Sequence, residues 1–272
     1  MTIQTVGVLG LGAMGRPMGR HLASAGFGVV GYDPDHESVR QAEQVGVRAL
    51  GSPKEVAHAT DIVLVVVGFE AQVESVIFGD DGVLSGARPG LILGLGSTVS
   101  PSYARELAER LDGSGIELLD MPLTRSDRAA EDGTMLVLAG AAPGVVDTCR
   151  PVLDTFATDI FDLGPFGSGQ VAKMVNNMIL WACVAANDEG LRFGESLGLD
   201  PDRLREALVV SSAANFALIE RADERPLPWA EKDMIIAQYE ADRLRFPMPV
   251  GGLVKEIVKA FKVRKGYPTP SL

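Results

Sequence analysis

The sequence predicts an α/β fold, with a doubly wound sheet in an N-terminal domain and an all-helical C-terminal domain joined by one long interdomain helix. Three observations lead to this prediction. Short apolar runs alternate with helical patterns up to residue 163, a glycine-rich turn follows the first run, and no strand pattern returns after residue 169. Such alternation is typical of a mostly parallel sheet covered by helices. We therefore predict two domains, residues 1–163 and 164–272.

The first thirty-three residues describe a nucleotide site. An apolar run at residues 3–9 is followed by a glycine-rich turn, a helical pattern through Ala23, and a second apolar run at residues 27–32 that ends on Asp33. The turn consists of Gly10, Leu11, Gly12, Ala13, Met14 and Gly15. Strand, GxGxxG turn, helix and a second strand with a terminal acid make up the dinucleotide fingerprint of a Rossmann domain.

Each glycine of this turn has a physical reason. Gly10 permits the tight turn, Gly12 lets a pyrophosphate approach the backbone, and Gly15 lets the helix pack closely on the strand. The N–H groups at the helix start are expected to hold the phosphates. Asp33 is placed to accept hydrogen bonds from the ribose hydroxyls and to repel a 2′-phosphate, which favours NAD over NADP as cofactor.

The remaining elements follow from periodicity and from start and stop signals. Residues 62–67 form a continuous apolar run rich in β-branched residues, as expected for a strand buried on both faces. Further strands are predicted at residues 91–95, 116–119, 135–139 and 160–163, and helices at 100–111, 144–156, 170–197, 231–244 and 253–262. Asp200 is expected to cap a helix that begins at Pro201.

Composition narrows the classes of partner and compartment. The chain of 272 residues has 46% hydrophobic and 22% charged residues, with a net charge of −11. This charge argues against nucleic acid or an anionic membrane surface as a partner. Cys149 and Cys183 match no metal-ligand spacing, so no metal site is expected and a reducing compartment is favoured. With no signal-peptide pattern and no apolar stretch of membrane-spanning length, a cytoplasmic protein is expected.

The long predicted helix carries a second signal. Residues 180–186 are apolar nearly all round the helix, which predicts that it is buried. Lys173 and Asn177 are four residues apart and share one face of the helix. A lysine in a buried helix is costly unless it lines a cavity. The spacing leaves two alternatives open, a lysine in a functional cleft and a surface lysine on the last exposed turn.

At this point the sequence resembles the β-hydroxyacid dehydrogenase family, which includes 3-hydroxyisobutyrate dehydrogenases and tartronate semialdehyde reductases. Five separated segments match the family in the right order. They are the glycine turn continued to Met18, residues 96–101 (GSTVSP), residues 120–124 (DMPLT) with 130–134 (AEDGT), residues 167–177 (GSGQVAKMVNN), and the pair Lys232-Asp233. Together they extend over nearly the whole chain.

The resemblance implies a reaction and assigns roles to residues. Lys173 is implied as the proton donor and acceptor at the substrate oxygen, with Asn177 hydrogen-bonding the substrate beside it. Thr98 is implied near the nicotinamide and Lys232 at the cofactor. The implied substrate contacts are Ser97, Thr124, Arg125, Ser126 and Asn177. The resemblance further implies NAD as cofactor, a small anionic β-hydroxy acid as substrate, and a homodimer or homotetramer formed through the helical domain.

One departure from the family pattern concerns the substrate loop. The family usually has Ser-Gly-Gly where this chain has Thr124-Arg125-Ser126. Thr124 retains a hydroxyl, but Arg125 replaces a glycine at a point of close approach. An arginine can bind a carboxylate or phosphate through two hydrogen bonds. Alternatively, Arg125 points to solvent on a charged loop with Asp127 and Arg128.

Two other functions fit the same architecture. An imine reductase of related fold typically has another residue in place of the catalytic lysine, so Lys173 argues against it. A non-catalytic nucleotide-binding scaffold is disfavoured by Lys173, Asn177 and Thr98, whereas the altered substrate loop keeps this alternative open.

Overall fold

The computed structural model describes residues 2–222 and 227–268, so Met1 and residues 269–272, the ends of the two predicted domains, lie outside the described residues. The chain divides into two compact units, Met1–Lys173 and Met174–Leu272. We refer to them as the N-terminal and the C-terminal unit. The division falls inside the long helix, whereas the sequence analysis placed it after residue 163.

The N-terminal unit contains a nine-stranded sheet. Its strands are β1 (Thr5–Leu9), β2 (Gly28–Tyr32), β3 (Arg48–Ala49), β4 (Ile62–Val65), β5 (Ile92–Leu95), β6 (Glu117–Asp120), β7 (Leu123–Thr124), β8 (Met135–Ala141) and β9 (Ala157–Asp162). Their order is β3-β2-β1-β4-β5-β6-β8-β7, with β9 paired to β8. Neighbours from β3 to β6 are parallel, whereas β8 runs antiparallel to both β6 and β7.

Helices cover this sheet and bury both of its faces. They are α1 (Gly15–Ser24), α2 (His36–Glu43), α3 (Pro53–Ala59), α4 (Glu70–Phe78), α5 (Val83–Gly86), α6 (Pro101–Leu111), α7 (Ser126–Asp132) and α8 (Val145–Leu153). The sequence of strand β4 is continuously apolar because both faces of the strand are buried. Ile62 and Leu64 pack into the core on one face, and Val63 and Val65 pack into the core on the other. The predicted doubly wound, mostly parallel sheet is therefore confirmed.

The strand order reverses between β1 and β4, because β2 and β3 lie on one side of β1 and β4 to β6 on the other. The connections at this point leave the carboxyl ends of β1 and β4 in opposite directions. A crevice at such a topological switch point is where open α/β sheets bind their ligands. The glycine turn follows β1, so it lies at this crevice.

Every element in the described part of the C-terminal unit is a helix, as predicted. The helices are α9 (Ser168–Ser196), which begins in the N-terminal unit, α10 (Pro201–Leu208), α11 (Phe216–Ile219), α12 (Ala230–Leu244) and α13 (Pro249–Arg264). The core of this unit packs Val184 of α9 with Met234 of α12 and with Val254 and Val258 of α13. The Asp200 carboxylate accepts the Arg203 N–H at 2.9 Å, which confirms the predicted cap of α10.

The prediction that α9 is buried holds only for its central part, where residues 180–183 are half-buried. Val184 and Ala185 are buried, but Ile179 is 54% exposed and Phe193 is 65% exposed. The sequence shows only that residues are apolar, and an apolar helix face turned away from the chain's own core gives the same pattern. Among the described residues, no helix is long and apolar enough to cross a membrane.

Candidate active site

The glycine turn after β1 meets three different steric demands. Gly10 has a φ of +95°, and a Cβ there would lie 2.3 Å from the Val66 carbonyl oxygen. A Cβ on Gly15 would lie 1.8 Å from the Gly10 carbonyl oxygen, which no side chain tolerates. Gly12 is different, because a Cβ there would meet nothing within 4 Å. Gly10 and Gly15 are thus required by the fold, whereas Gly12 faces open space into which a ligand can approach the backbone.

That open space belongs to a cavity of about 190 Å³ at the carboxyl ends of β1, β2 and β4. Its lining comprises Gly10, Gly12, Tyr32, Asp33, Pro34, Val66, Val67, Gly68, Gln72 and Val76. A glycine backbone beside an acidic residue suits the pyrophosphate and the ribose of a dinucleotide. A larger open depression of about 780 Å³ lies around α3 and α5, but its lining includes none of the predicted site residues.

Asp33 is fixed on the wall of this cavity by two hydrogen bonds. Its Oδ2 accepts the Leu11 N–H at 2.7 Å, and its Oδ1 accepts the Asp35 N–H at 2.9 Å. The carboxylate therefore joins the end of β2 to the glycine turn. Its negative charge stays at the position where the hydroxyls of a ribose, or a 2′-phosphate, would lie.

Lys173 lies in the second turn of α9 and is half-buried. Its Nζ donates a hydrogen bond to the Leu123 carbonyl oxygen at 2.6 Å. Leu123 and Thr124 form β7, so the lysine ammonium is held directly against the segment that leads into Thr124-Arg125-Ser126. Two segments that are fifty residues apart in the sequence meet here. Lys173 is therefore partly enclosed, which favours the alternative of a lysine in a cleft over that of a surface lysine.

The two residues after β7 have backbone conformations that usually require glycine, although neither is a glycine. Arg125 and Ser126 have φ values of 80° and 72°, both in the left-handed region. The Thr124 hydroxyl donates to the Leu136 carbonyl oxygen at 3.3 Å, across the β7–β8 pair. Both residues therefore have backbone conformations that glycine adopts most easily.

The Arg125 side chain is paired within the chain, and its contact with substrate stays a prediction. Its guanidinium donates to the Asp159 carboxylate at 2.6 Å, to the Thr158 hydroxyl at 3.0 Å and to the Thr134 carbonyl oxygen at 3.2 Å. This arginine holds the pKa of Asp159 below its usual range. The side chain thus ties the loop to β9 and to the segment before β8.

Ser97 and Thr98, in the loop after β5, differ in burial. Ser97 is only 3% exposed, and its hydroxyl accepts the Val67 N–H at 2.8 Å while it donates to the Val65 carbonyl oxygen at 3.3 Å. Val65 is the last residue of β4, and Val67 follows this strand at the edge of the sheet where the cavity lies. Thr98 is half-buried. Ser97 is therefore held by backbone groups, and its contact with substrate stays a prediction.

Two further polar residues, to which the sequence analysis gave no role, lie beside this loop. Asp120, at the end of β6, and Gln170, in the first turn of α9, are both fully buried. Burial raises the pKa of Asp120 to about 6, against the opposing effect of N–H groups of Gln170, Gly169 and Gly167. An acid that ends an apolar strand run was the available signal, since a buried carboxylate needs a specific reason.

Asn177 and Lys232 belong to the C-terminal unit. Asn177 is 6% exposed, one helical turn after Lys173, and its Oδ1 accepts the Asn176 side-chain N–H at 2.9 Å. Lys232 in α12 is 5% exposed, and its Nζ lies 5.5 Å from the ring centroid of Trp229. Its neighbour Asp233 accepts the indole N–H of Trp181 at 2.9 Å.

Comparison with known families agrees with this geometry. Residues 5–164 match the model described as the NAD-binding domain of 6-phosphogluconate dehydrogenase. Residues 167–269 match the model described as NAD-binding of NADP-dependent 3-hydroxyisobutyrate dehydrogenase. The two matches together extend over both units of the chain.

Individual relatives are similar over most of their length. The chain is 35% identical to a 3-hydroxyisobutyrate dehydrogenase of Pseudomonas aeruginosa, over 78% of this chain and 72% of the relative. It is 33% identical to 2-(hydroxymethyl)glutarate dehydrogenase of Eubacterium barkeri, over 78% and 71%. The structure of a Mycobacterium tuberculosis 3-hydroxyisobutyrate dehydrogenase with L-serine superposes with a TM-score of 0.84 at 28% identity, over 97% of this chain and 94% of that one.

A glycine turn at the switch point, a half-buried lysine against the β7 loop, and these matches lead to one assignment. The chain belongs to the β-hydroxyacid dehydrogenase family, whose members are nicotinamide-dependent oxidoreductases.

Proposed function

We propose that this enzyme transfers a hydride between NAD and a small β-hydroxy acid, and that Lys173 moves the proton at the substrate hydroxyl. The observation that carries the proposal is the 2.6 Å hydrogen bond from Lys173 Nζ to the Leu123 carbonyl oxygen. It holds a partly enclosed ammonium group beside the loop that the family resemblance assigns to the substrate.

The chemistry requires such a group. When bound, the nicotinamide supplies the hydride acceptor for the substrate carbon. As hydride leaves the carbinol carbon, the hydroxyl must lose its proton, so a base within hydrogen-bonding reach is needed. Lys173 is half-buried and its Nζ is held against the Leu123 carbonyl oxygen, which places a group able to exchange a proton at this loop. Thr124 and the backbone of residues 125–126 are proposed to orient the substrate, together with Asn177.

The proposed substrate class rests on the names of relatives and on the site. The dehydrogenases of Pseudomonas aeruginosa and Eubacterium barkeri are named for 3-hydroxyisobutyrate and 2-(hydroxymethyl)glutarate, and the Mycobacterium tuberculosis enzyme was solved with L-serine. All three compounds carry a carboxylate and a hydroxyl on the β carbon. We therefore propose a small anionic β-hydroxy acid, or the corresponding aldehyde such as 2-hydroxy-3-oxopropionate in the reverse direction.

The role of Lys173 is tested by substitution. Lys173→Ala should lower kcat by about a hundredfold or more, the usual contribution of a general acid–base group. NADH affinity, measured by fluorescence titration, should change little because the glycine turn is intact. Turnover is measured by NADH absorbance with 3-hydroxyisobutyrate, L-serine and 2-(hydroxymethyl)glutarate.

Lys54→Ala is the matched control, because it removes the same charge from an exposed ion pair with Asp81 in the N-terminal unit. It should leave kcat unchanged. Near-normal turnover in Lys173→Ala would remove this lysine from the mechanism. Tight NADH binding by a wild type that turns over none of the acids would favour the scaffold alternative.

NAD is proposed as the cofactor in preference to NADP because of Asp33. Its carboxylate is held at the cavity wall, where it would repel a 2′-phosphate. We expect a higher kcat/KM with NAD than with NADP, and Asp33→Asn should narrow the difference. Asp35→Asn is the control, since that carboxylate caps α2 instead. Equal efficiency with both cofactors in the wild type would contradict the proposal.

Assembly and compartment are also proposals. One face of α9 exposes Val175, Ile179 and Phe193, with exposed fractions from 41% to 65%. An apolar stripe of this length on a soluble protein is typical of an interface, and it supports a homodimer or homotetramer. Cys149 and Cys183 are free thiols, which supports a reducing, cytoplasmic environment.

A further inference from the structure

A buried polar cluster connects the first turn of α9 to the ends of three neighbouring strands. Its members are Ser97 after β5, Asp120 at the end of β6 and Gln170 in α9, and each is at most 3% exposed. All three lie in the N-terminal unit. Gln170 is three residues before Lys173, so it belongs to the helical turn on which the lysine stands.

The Gln170 side chain forms hydrogen bonds with the backbone of the loop after β5 on both sides of Thr98. Its Nε2 donates to the Ser97 carbonyl oxygen at 2.9 Å, and its Oε1 accepts the Val99 N–H at 3.1 Å. An amide is the one neutral side chain that offers a donor and an acceptor at this spacing. The loop expected to contact the cofactor is therefore bonded directly to α9.

Asp120 holds the same turn from the other direction. Its Oδ2 accepts the Gln170 backbone N–H at 2.9 Å, and the N–H groups of Gly167 and Gly169 further stabilise its charged form. Gly169 leaves room for this contact, because a Cβ there would lie 2.9 Å from Asp120 Oδ2 and 2.2 Å from the Leu138 carbonyl oxygen. A carboxylate at a helix start satisfies N–H groups that have no partner within the helix.

The cluster reaches the wall of the nucleotide cavity. The Ser97 hydroxyl accepts the Val67 N–H at 2.8 Å, and Val67 lines that cavity. A continuous series of hydrogen bonds therefore runs from Val67 through Ser97 and Gln170 to Asp120. Of the residues in this series, only Ser97 was assigned a site role from the sequence.

We propose that Gln170 and Asp120 are positioning residues, which fix the first turn of α9 against the loops after β4, β5 and β6 and so set the location of Lys173 Nζ relative to Thr98 and the nucleotide cavity. This inference rests on the proposed dehydrogenase function. A displacement of about 1 Å of a reacting group lowers rates by roughly a hundredfold, so a buried clamp one turn from the lysine controls turnover rather than cofactor binding.

The test compares Gln170→Met, which keeps the length of the side chain but removes both hydrogen bonds, with Asp120→Asn, which keeps the shape but removes the charge. We expect Gln170→Met to lower kcat at least tenfold and Asp120→Asn about threefold, with NADH affinity within threefold of wild type. In a Lys173→Ala background, neither substitution should lower the residual turnover further, because both act through the lysine.

Asp61→Asn is the matched control. Asp61 also accepts backbone N–H groups, from Gln4 and Thr5 at 2.9 Å, but at the amino ends of β1 and β4. This variant should keep the wild-type kcat. Full additivity of Gln170→Met with Lys173→Ala, or an equal loss of kcat in Asp61→Asn, would overturn the positioning role.

Amide hydrogen exchange gives a second measurement that needs no substrate. Gln170→Met should accelerate exchange of the Val99 N–H at least tenfold, because that N–H loses its acceptor. Asp120→Asn should accelerate exchange of the Gln170 N–H, because its acceptor loses the negative charge. Unchanged exchange at both positions would overturn the clamp. A wild type inactive toward every hydroxy acid would instead overturn the proposed function, and exchange would still decide the clamp.

Discussion

The role assigned to the Arg125 side chain depends on neighbours that are distant in the sequence. From the sequence it was either an anion ligand or a solvent-facing residue. In the structure it is paired with Asp159 of β9, and each side chain of this pair is between one third and one half exposed. Such a pair at the surface adds little to stability. Its main effect is to fix the direction in which the loop leaves β7.

Substitutions on both sides of this pair separate the two roles. If Arg125 only ties the loop, Asp159→Asn should change KM for the hydroxy acid in the same direction as Arg125→Ala but by a smaller factor, because it leaves the bonds from Arg125 to Thr158 and Thr134. The double variant should then equal Arg125→Ala. A rise in KM of tenfold or more in Arg125→Ala alone would show instead that the guanidinium binds the substrate anion. Steady-state kinetics with saturating NAD decide between them.

At the level of single residues, the sequence predicted what depends on local sterics. Gly15 is required by its contact with the Gly10 carbonyl oxygen inside the turn, and Gly10 by its positive φ, so the motif itself specifies both. Asp120 and Gln170 could not be assigned in this way. Their partners are fifty and seventy-one residues away in the sequence, so their roles exist only after the sheet has brought β5, β6 and α9 together.

Among the elements, the junction of β7 and α7 stores backbone strain. Arg125 and Ser126 both occupy left-handed conformations, at about 1–2 kcal/mol each for a residue with a Cβ. Both directly follow β7, whose Leu123 carbonyl oxygen accepts the Lys173 hydrogen bond, so the strain falls in the segment proposed to contact the substrate. Glycine, which the family's Ser-Gly-Gly pattern has at these two positions, adopts this conformation without the strain.

Ser126→Gly should therefore raise the free energy of unfolding. Relief of the left-handed strain is offset by the greater freedom of glycine in the unfolded chain, which leaves a net gain of about 0.5–1 kcal/mol. Urea unfolding followed by circular dichroism measures it. Asp127→Gly is the control, because the next residue lies within α7, where glycine should cost about 1 kcal/mol. A loss of stability in Ser126→Gly would show that the hydroxyl stabilises the loop more than its conformation strains it.

Predicted element boundaries were accurate where periodicity is long and poor where elements are short. Helix α9 spans Ser168–Ser196 against a prediction of 170–197. Strands β3 and β7 have two residues each, too few for any periodic pattern, and they were not predicted. Both are defined by pairing with a neighbouring strand, which is a long-range property.

For the whole molecule, alternation of strands and helices was sufficient to predict the doubly wound class. It was not sufficient to predict that β8 runs antiparallel to β6, or that β9 pairs beside it, because a strand sequence does not specify the direction of its partner. The exposed face of α9 was likewise not predictable, since burial inside a chain and burial between chains require the same apolar residues.

The carboxyl of Asp120 also links folding of the N-terminal unit to proton uptake. Its pKa is raised by burial from 3.8 to about 6, so the folded unit binds a proton more tightly than the unfolded chain does. The resulting stabilisation is complete below about pH 4 and is lost as the pH rises through about 6, to the extent of about 3 kcal/mol. At neutral pH the unit folds with this carboxylate ionised in a buried position. At neutral pH the protein is therefore less stable than it is with this carboxyl protonated.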